Sequence, residues 1–170
     1  MRNNVSLTMN NYFRKELFDS DNNFYIWTIS GVKTLIYNDF KEILNTKVFK
    51  LSPYGYKMAA QAKLDSGYLG IYVILVPGKY DKLLNWPFEN PIQISLLNQS
   101  KPNANHTVTI DPKTMKDEPC WHKPILNVHQ KGCGLKTAFP LSIFKKNQNG
   151  YPSEFLRNDQ IYLKFELLKN

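Results

Sequence analysis

Alternation of apolar and polar residues, repeated in several separate runs, is the feature that most constrains the fold of this chain. In residues 57–64, KMAAQAKL, every second residue is Met, Ala or Leu, and Lys57, Gln61 and Lys63 lie between them. Period-two alternation is typical of half-buried antiparallel strands, because successive side chains of a strand point to opposite faces. Similar runs occupy 69–76, 92–97 and 161–167, and 24–30 and 135–141 are further candidates.

Turn-forming residues separate these runs at the spacing of an all-β sandwich. Residues 135–141 are expected at a sheet edge, because Pro140 cannot donate a ladder hydrogen bond. Helix is scarce, and residues 78–88 are expected to hold one turn that Pro87 stops. The expected core contains the apolar residues on the inward faces of the strands: Met58, Ala62, Ile71, Val73, Ile94, Leu96, Leu163 and Phe165.

The length of 170 residues suits one domain. We assign residues 23–170 to the sandwich and residues 1–22 to an N-terminal segment, a candidate remnant of a coiled-coil stalk. Residues 5–17 have roughly helical apolar spacing, but two heptads are too few for an independent coiled coil. The start lacks the apolar run of a signal peptide and no stretch could span a bilayer, so a cytoplasmic location is the default.

The net charge of +8 is concentrated in one segment. Residues 101–150 contain eight Lys and three acidic residues. Such a basic segment attracts an anionic partner, such as nucleic acid, an anionic membrane or an acidic peptide. Arg occurs only three times in the chain. Nucleic-acid binders usually rely on Arg, so nucleic acid is the weakest of these alternatives.

Residues 120–134, CWHKPILNVHQKGCG, contain both cysteines of the chain. A zinc site would use Cys120, His122, His129 and Cys133, but the spacing matches no common zinc motif, so we expect no metal and no cofactor. A Cys120–Cys133 disulfide is geometrically possible but is disfavoured in a reducing compartment. A catalytic role for Cys133 lacks a third group that would orient a histidine, so we expect no enzymatic activity.

Six motifs in one order resemble the C-terminal domain of the tumour-necrosis-factor-receptor-associated factors, the TRAF-C or MATH domain. The resemblance covers about residues 24–168. The motifs are SPYGYKM (52–58), GKYDKLLNWPF (78–88), SLLNQ (95–99), WHKP (121–124), KGCG (131–134) and FLRNDQIYLKFEL (155–167).

The resemblance implies an eight-stranded antiparallel β-sandwich without enzymatic activity. It also implies a homotrimeric signalling adaptor that binds cytoplasmic tails of cell-surface receptors, or adaptor-protein peptides, by strand addition. It would reach membranes only indirectly, through those receptors, and would not bind nucleic acid. Family members often carry a RING ubiquitin-ligase region, and none is present in this chain. A trimerisation scaffold without a working peptide groove is the alternative with the same fold.

The resemblance also implies where a peptide would bind. The guest would pair along the segment Lys131, Gly132, Cys133, Gly134 and Leu135, where the glycines would let a second backbone approach. Gln61, Lys63 and Tyr72 would face the groove, and the alternation independently places these three side chains opposite the core. Trp121 replaces a family Phe and would either wall a pocket or pack in the core.

Departures from the family pattern concern ligand choice. Many members have Arg and Tyr where this chain has Gln61 and Lys63. Pro119 falls where some relatives offer a backbone N–H, which proline lacks. We therefore expect the docking mode to persist while the peptide motif that is read differs.

Overall fold

Two antiparallel sheets face each other across one apolar core. The computed structural model describes residues 23–38, 43–115 and 118–168, and the predicted stalk remnant at residues 1–22 lies outside them. The described residues form nine strands and one short α-helix: β1 (Phe24–Ser30), α1 (Val32–Tyr37), β2 (Leu44–Asn45), β3 (Phe49–Lys50), β4 (Lys57–Asp65), β5 (Tyr68–Leu75), β6 (Ile92–Leu96), β7 (His106–Ile110), β8 (Cys133–Pro140) and β9 (Gln160–Leu167).

The strand order puts β8 at the edge of a sheet. One sheet has the order β1-β9-β6-β7, and the other has the order β2-β4-β5-β8 with β3 also paired to β4. All the pairs are antiparallel. This arrangement confirms the predicted sandwich, and it confirms that the strand containing Pro140 lies at an edge.

The inward faces of both sheets form the core that the alternation predicted. On β4, Met58, Ala60 and Ala62 are buried, whereas Lys63 is exposed. Burial of a large apolar side chain contributes about 1.5–3 kcal/mol, so these faces dominate the stability of the sandwich. All eight predicted core residues are at most 1% exposed: Met58, Ala62, Ile71, Val73, Ile94, Leu96, Leu163 and Phe165.

Three strands and the α-helix of the described chain were not predicted. Strands β2 and β3 have two residues each, too few to show alternation, and β7 buries only Ile110 fully. Helix α1 follows Gly31, whose φ of 71° lies in the left-handed region that glycine adopts readily. The predicted turn near residue 80 is a 3₁₀ turn at Asp81–Leu83.

In the described part of the chain, none of the helices combines the length and the apolar character needed to cross a bilayer.

Candidate functional site

Strand β8 has a partner on one side only among the described strands. It pairs with β5, with Cys133 opposite Val73 and Gly134 opposite Tyr72. An edge strand directs half of its backbone N–H and C=O groups away from its sheet. Near the other end of β8, the His106 ring of β7 packs edge-on against Phe139, with ring centroids 5.4 Å apart. The N-terminal half of β8 is therefore the part of the edge that lies away from this contact.

A β-bulge limits the regular part of that edge. Ile71 pairs with Leu135 and Leu69 pairs with Phe139, so two steps on β5 correspond to four on β8. Bulges bend a strand and interrupt its ladder. Lys136, inside the bulge, turns towards the β4–β5 hairpin, where its Nζ lies 3.4 Å from Asp65 Oδ2.

The Asp65 carboxylate is stabilised in its charged form. It accepts a hydrogen bond from the Ser66 hydroxyl at 2.8 Å, and this bond, followed by the interaction with Lys136, lowers the pKa of Asp65. The Lys136 charge is therefore shared with a carboxylate of the hairpin, whereas no ion pair of Lys63 or Lys131 is found among the described residues.

A polar row crosses the outward face of this sheet towards β8. Gln61 lies opposite Tyr72, and Tyr72 lies opposite Gly134. The Gln61 side chain extends along the row, because a Cβ built on Gly132 would lie 3.4 Å from Gln61 Oε1 and 3.3 Å from Tyr72 Cβ. The nitrogen of the Gln61 side-chain amide is oriented by Asn45, because Gln61 Nε2 donates a hydrogen bond to Asn45 Oδ1 at 2.8 Å.

The Tyr72 ring leans along its own strand towards Lys63. Gly70 is the cross-strand partner of Lys63, and a Cβ on Gly70 would lie 3.1 Å from Tyr72 Cε2 and 3.2 Å from the Tyr72 hydroxyl oxygen. The ring therefore covers the space above Gly70, beside the exposed Lys63. The structure thus brings together four residues predicted for the site, on one face of one sheet: Gln61, Lys63, Tyr72 and Gly132.

The two positions next to Cys133 are glycine for different structural reasons. A Cβ on Gly134 would collide with the carbonyl oxygen of Ile71 and lie 2.6 Å from Tyr72 Cα. Gly134 is therefore needed for the close approach of β8 to β5, a structural reason that the sequence-based expectation of room for a guest backbone did not include. A Cβ on Gly132 would meet side-chain atoms only, the nearest being Ile74 Cγ1 at 3.0 Å.

A disulfide joins Cys120 to Cys133, which corrects the expectation that this bond is disfavoured. Cys120 lies in a 3₁₀ turn, Pro119–Trp121, and Cys133 points inward from β8 with 7% of its surface exposed. Their Cα atoms are 6.1 Å apart, within the range that a disulfide can bridge. This proximity depends on how the loop folds back onto β8, which the redox state of a compartment does not determine. A disulfide has no thiolate, so this form of Cys133 cannot act as a nucleophile.

The four residues that a zinc site would have used, Cys120, His122, His129 and Cys133, do not form one cluster in the part of the chain that the structure describes. Within the described ranges, one group of His, Cys, Asp or Glu side chains has its ligand atoms within 4.8 Å of one another, and it consists of Glu118, Cys120 and Cys133. Both sulfurs of this group are already bonded to each other. His122 and His129 do not belong to it.

Glu118 is a residue that the sequence reasoning missed. Its exposed carboxylate lies beside the first residue of β8. The pairing of Cys120 with Cys133 is the signal that could have revealed this neighbour, because it brings residue 118 to the start of β8.

Trp121 packs in the core rather than at the edge of β8. It is 2% exposed and stacks on Phe88 with ring centroids 5.8 Å apart, and its carbonyl oxygen accepts a hydrogen bond from the Phe88 N–H at 2.8 Å. A cleft of about 270 Å³ beside it is lined by Pro87, Phe88, Glu89, Pro112, Lys113 and Trp121, none of which belongs to β4, β5 or β8. The placement of Trp121 therefore favours its packing role.

Lys131 and Leu135, on either side of the start of β8, differ in their exposure to solvent. Lys131 is exposed just before Gly132, whereas Leu135 is partly buried opposite Ile71, on the core side of the sheet. A contact from Leu135 to a guest would therefore use its backbone.

Comparison with known proteins identifies relatives of this domain. The sequence profile described as "TRAF/meprin, MATH domain" matches residues 41–164. TNF receptor-associated factor 6-A from Xenopus laevis is 26% identical over 153 residues, which cover 84% of this chain and 26% of that protein. TNF receptor-associated factor 6 from Macaca mulatta is 25% identical over 158 residues, covering 86% of this chain and 29% of that protein. The chain thus spans about a quarter of the length of the curated relatives that it matches.

A solved structure supports the same fold. Notothenia coriiceps TRAF5 superposes with a TM-score of 0.73 and 23% sequence identity, over 98% of this chain and 83% of that one. At this identity the likeness concerns the fold alone.

Proposed function

Since this chain belongs to the TRAF/meprin MATH-domain family, we propose that it is a peptide-recognition adaptor domain that binds an extended peptide along the N-terminal half of β8. MATH domains of this family are protein-interaction domains rather than catalytic ones. The observation that carries the proposal is the combination of an edge strand with a polar row that ends on it, from Gln61 through Tyr72 to Gly134.

Backbone pairing would supply the register of the guest. An added strand lies about 4.8 Å beyond the strand that it joins, and its side chains alternate between the two faces of the sheet. Side chains of the guest on the outward face would lie beside Gly132 and Gly134, which have none. A long guest side chain could extend over these glycines towards Tyr72, roughly 10 Å away at two strand spacings.

The charges around the row favour a guest with an acidic side chain on that face. Lys63 and Lys131 are both exposed near the row, whereas Glu118 lies at the start of β8. A carboxylate of the guest would be attracted to the lysines, and a cationic residue next to it would be attracted to Glu118. Exposed ion pairs contribute only about 0.2–1 kcal/mol each, so these charges select among peptides more than they raise affinity.

Weak single sites suit an oligomeric adaptor, and we propose a homotrimer. Linked sites raise the overall binding to clustered ligands by roughly 10²–10⁴ without any new contact. Sedimentation should show association of this chain towards three subunits as its concentration rises. A chain that stays monomeric at high concentration would contradict the trimer and leave the peptide site untouched.

The partners that we propose are cytoplasmic tails of cell-surface receptors or peptides of adaptor proteins. The curated relatives are named TNF receptor-associated factors, which supports partners in receptor signalling and a cytoplasmic location. The disulfide is the feature that argues against a reducing compartment. In the cytoplasm the pair would be two thiols, so the proposal requires that the reduced domain also binds peptide.

The proposal is tested by screening the chain, oxidised and reduced, against a library of receptor-tail peptides. The best peptide is then titrated by fluorescence polarisation. Gly132→Pro places a ring beside Ile74 and removes a backbone donor, so it should abolish binding while the thermal melt stays cooperative. If this variant folds and binds unchanged, the peptide binds elsewhere.

A charge variant tests the side-chain part of the same site. Lys131→Glu should weaken acidic peptides about two- to fivefold, the range expected for one exposed ion pair, and the loss should be larger at low salt. Lys146→Glu is the matched control, because Lys146 is also exposed but lies beyond the far end of β8. Equal losses in both variants would indicate an effect of net charge alone.

A further inference from the structure

The loop between Cys120 and Cys133 exposes three large apolar side chains. Ile125 is 67% exposed, Leu126 73% and Val128 59%, and we call these three residues the apolar tip. Isolated apolar residues on a surface are ordinary, but three within four positions of one loop form a patch that costs solubility unless something covers it. The proposed peptide site uses none of them.

The apolar tip is held in a defined shape. The disulfide closes the base of the loop, and Gln130 Nε2 donates to the carbonyl oxygens of Cys120 at 2.9 Å and His122 at 3.3 Å. At the tip, the Val128 N–H donates to the Ile125 carbonyl oxygen at 3.1 Å. A loop that is ordered before binding loses less conformational entropy when it docks.

Only basic charges flank the apolar tip. Lys123 precedes it, Lys131 follows it, and the stretch from 121 to 133 contains two histidines and no acidic residue. Glu118 lies at the base of the loop, next to the disulfide. The loop therefore combines projecting apolar side chains with a lysine on each side of them in the sequence.

We propose that the apolar tip inserts into an anionic membrane surface. Apolar side chains would enter the boundary between headgroups and acyl chains, while the ammonium groups of Lys123 and Lys131 would contact anionic headgroups. A protein partner would have to offer an acidic, concave apolar pocket of matching shape, whereas a fluid bilayer adapts to a projecting tip. The positive charge on both sides of the tip favours this occupant.

This inference goes beyond peptide binding and adds a direct membrane contact to the indirect one that is expected through receptors. The loop leads directly into β8, so insertion would hold the N-terminal half of β8 near the bilayer. The two proposals share Lys131 but are tested separately, because vesicle binding requires no peptide.

The test is co-sedimentation of the whole chain, without reductant, with vesicles of equal parts phosphatidylserine and phosphatidylcholine, compared with vesicles of phosphatidylcholine alone. Binding should occur to the anionic vesicles and should fall as salt is raised. Lys123→Glu should lower the partition coefficient at least about fivefold, since one basic residue near an anionic surface contributes about 1 kcal/mol. Leu126→Ser should lower it about tenfold or more, from the loss of apolar burial.

Tyr37→Ser is the matched control for the apolar substitution. Tyr37 is 89% exposed and ends α1, whose Leu35 and Ile36 line a small apolar cavity with Leu141, beyond the far end of β8. This variant should bind vesicles like the unchanged chain. The proposal is overturned if the chain does not bind anionic vesicles or binds neutral vesicles equally well. It is also overturned if Leu126→Ser and Tyr37→Ser have the same partition coefficient. It is also overturned if Leu126→Ser abolishes self-association instead, because the tip would then pack on a second copy.

Discussion

Tyr72 lies directly opposite Gly134, and a single methyl group on Gly134 would meet the backbone of β5. This relationship connects the fold to the proposed site, because the same glycine that lets β8 approach β5 leaves the outward face beside Tyr72 open. The edge strand and the bare surface next to the Tyr72 ring therefore have one structural cause.

Gly134→Ala is expected to destabilise the domain. Its Cβ would collide with the Ile71 carbonyl oxygen, and overpacking of this kind costs about 1–3 kcal/mol. Gly132→Ala is the matched substitution, because its Cβ meets side-chain atoms that can shift, and it should cost less. Urea denaturation of both variants measures the difference in the free energy of unfolding. Equal costs would contradict the close backbone approach at Gly134.

Reduction of the disulfide is expected to lower the free energy of unfolding. The two cysteines are 13 residues apart, and cross-linking a loop of about 15 residues stabilises by roughly 3 kcal/mol in the chain-entropy description. Denaturation with and without a reductant measures this change. A variant with both Cys120→Ser and Cys133→Ser is the control, and its stability should not respond to the reductant. An unchanged midpoint for the native chain would argue that the disulfide contributes nothing.

Acidification is expected to remove the contribution of Glu154 to the free energy of unfolding. Its Oε2 accepts a hydrogen bond from Asn98 Nδ2 at 2.9 Å and its Oε1 lies 3.5 Å from Lys101 Nζ. The Asn98 bond, followed by the charge of Lys101, lowers the pKa of Glu154 below its ordinary value of 4.5. The folded state therefore binds this proton less readily than the unfolded chain does.

The sign of the pH dependence follows from that direction. The contribution of Glu154 is fully present above pH 4.5 and is lost as the pH falls below it, through the pKa of the folded state. Unfolding of the native chain and of Glu154→Gln should therefore differ at neutral pH, and the difference should shrink on acidification. A difference that grows on acidification would contradict the assignment.

The sandwich was predictable because its core residues repeat along each strand. Met58 and Ala62 share a face through a period of two, and such an apolar face can be recognised from the local sequence alone. Strands β2 and β3 were not predictable, since they exist as partners of β4 and have two residues each. Tertiary pairing rather than local pattern forms them.

Some features of the candidate site were also predictable from the sequence, and others were not. The common face of Gln61, Lys63 and Tyr72 followed from alternation, and the structure places these residues beside one another. The Cys120–Cys133 bond and the position of Glu118 depend on how a loop folds back onto β8, which spacing along the chain does not encode. The structural reason for a glycine at position 134 could not be read from the sequence either, because the colliding atoms belong to another strand.

Hydrogen exchange of the β8 backbone amides, with and without the best peptide from the screen, tests the central claim most directly. An added strand would convert the unpaired N–H groups at the start of β8 into ladder donors, so amides in Cys133–Leu135 should exchange more slowly at saturation. Amides of β1 and β7, the edge strands of the other sheet, should be unaffected. Slower exchange at β1 or β7, with β8 unchanged while the peptide is bound, would contradict the claim.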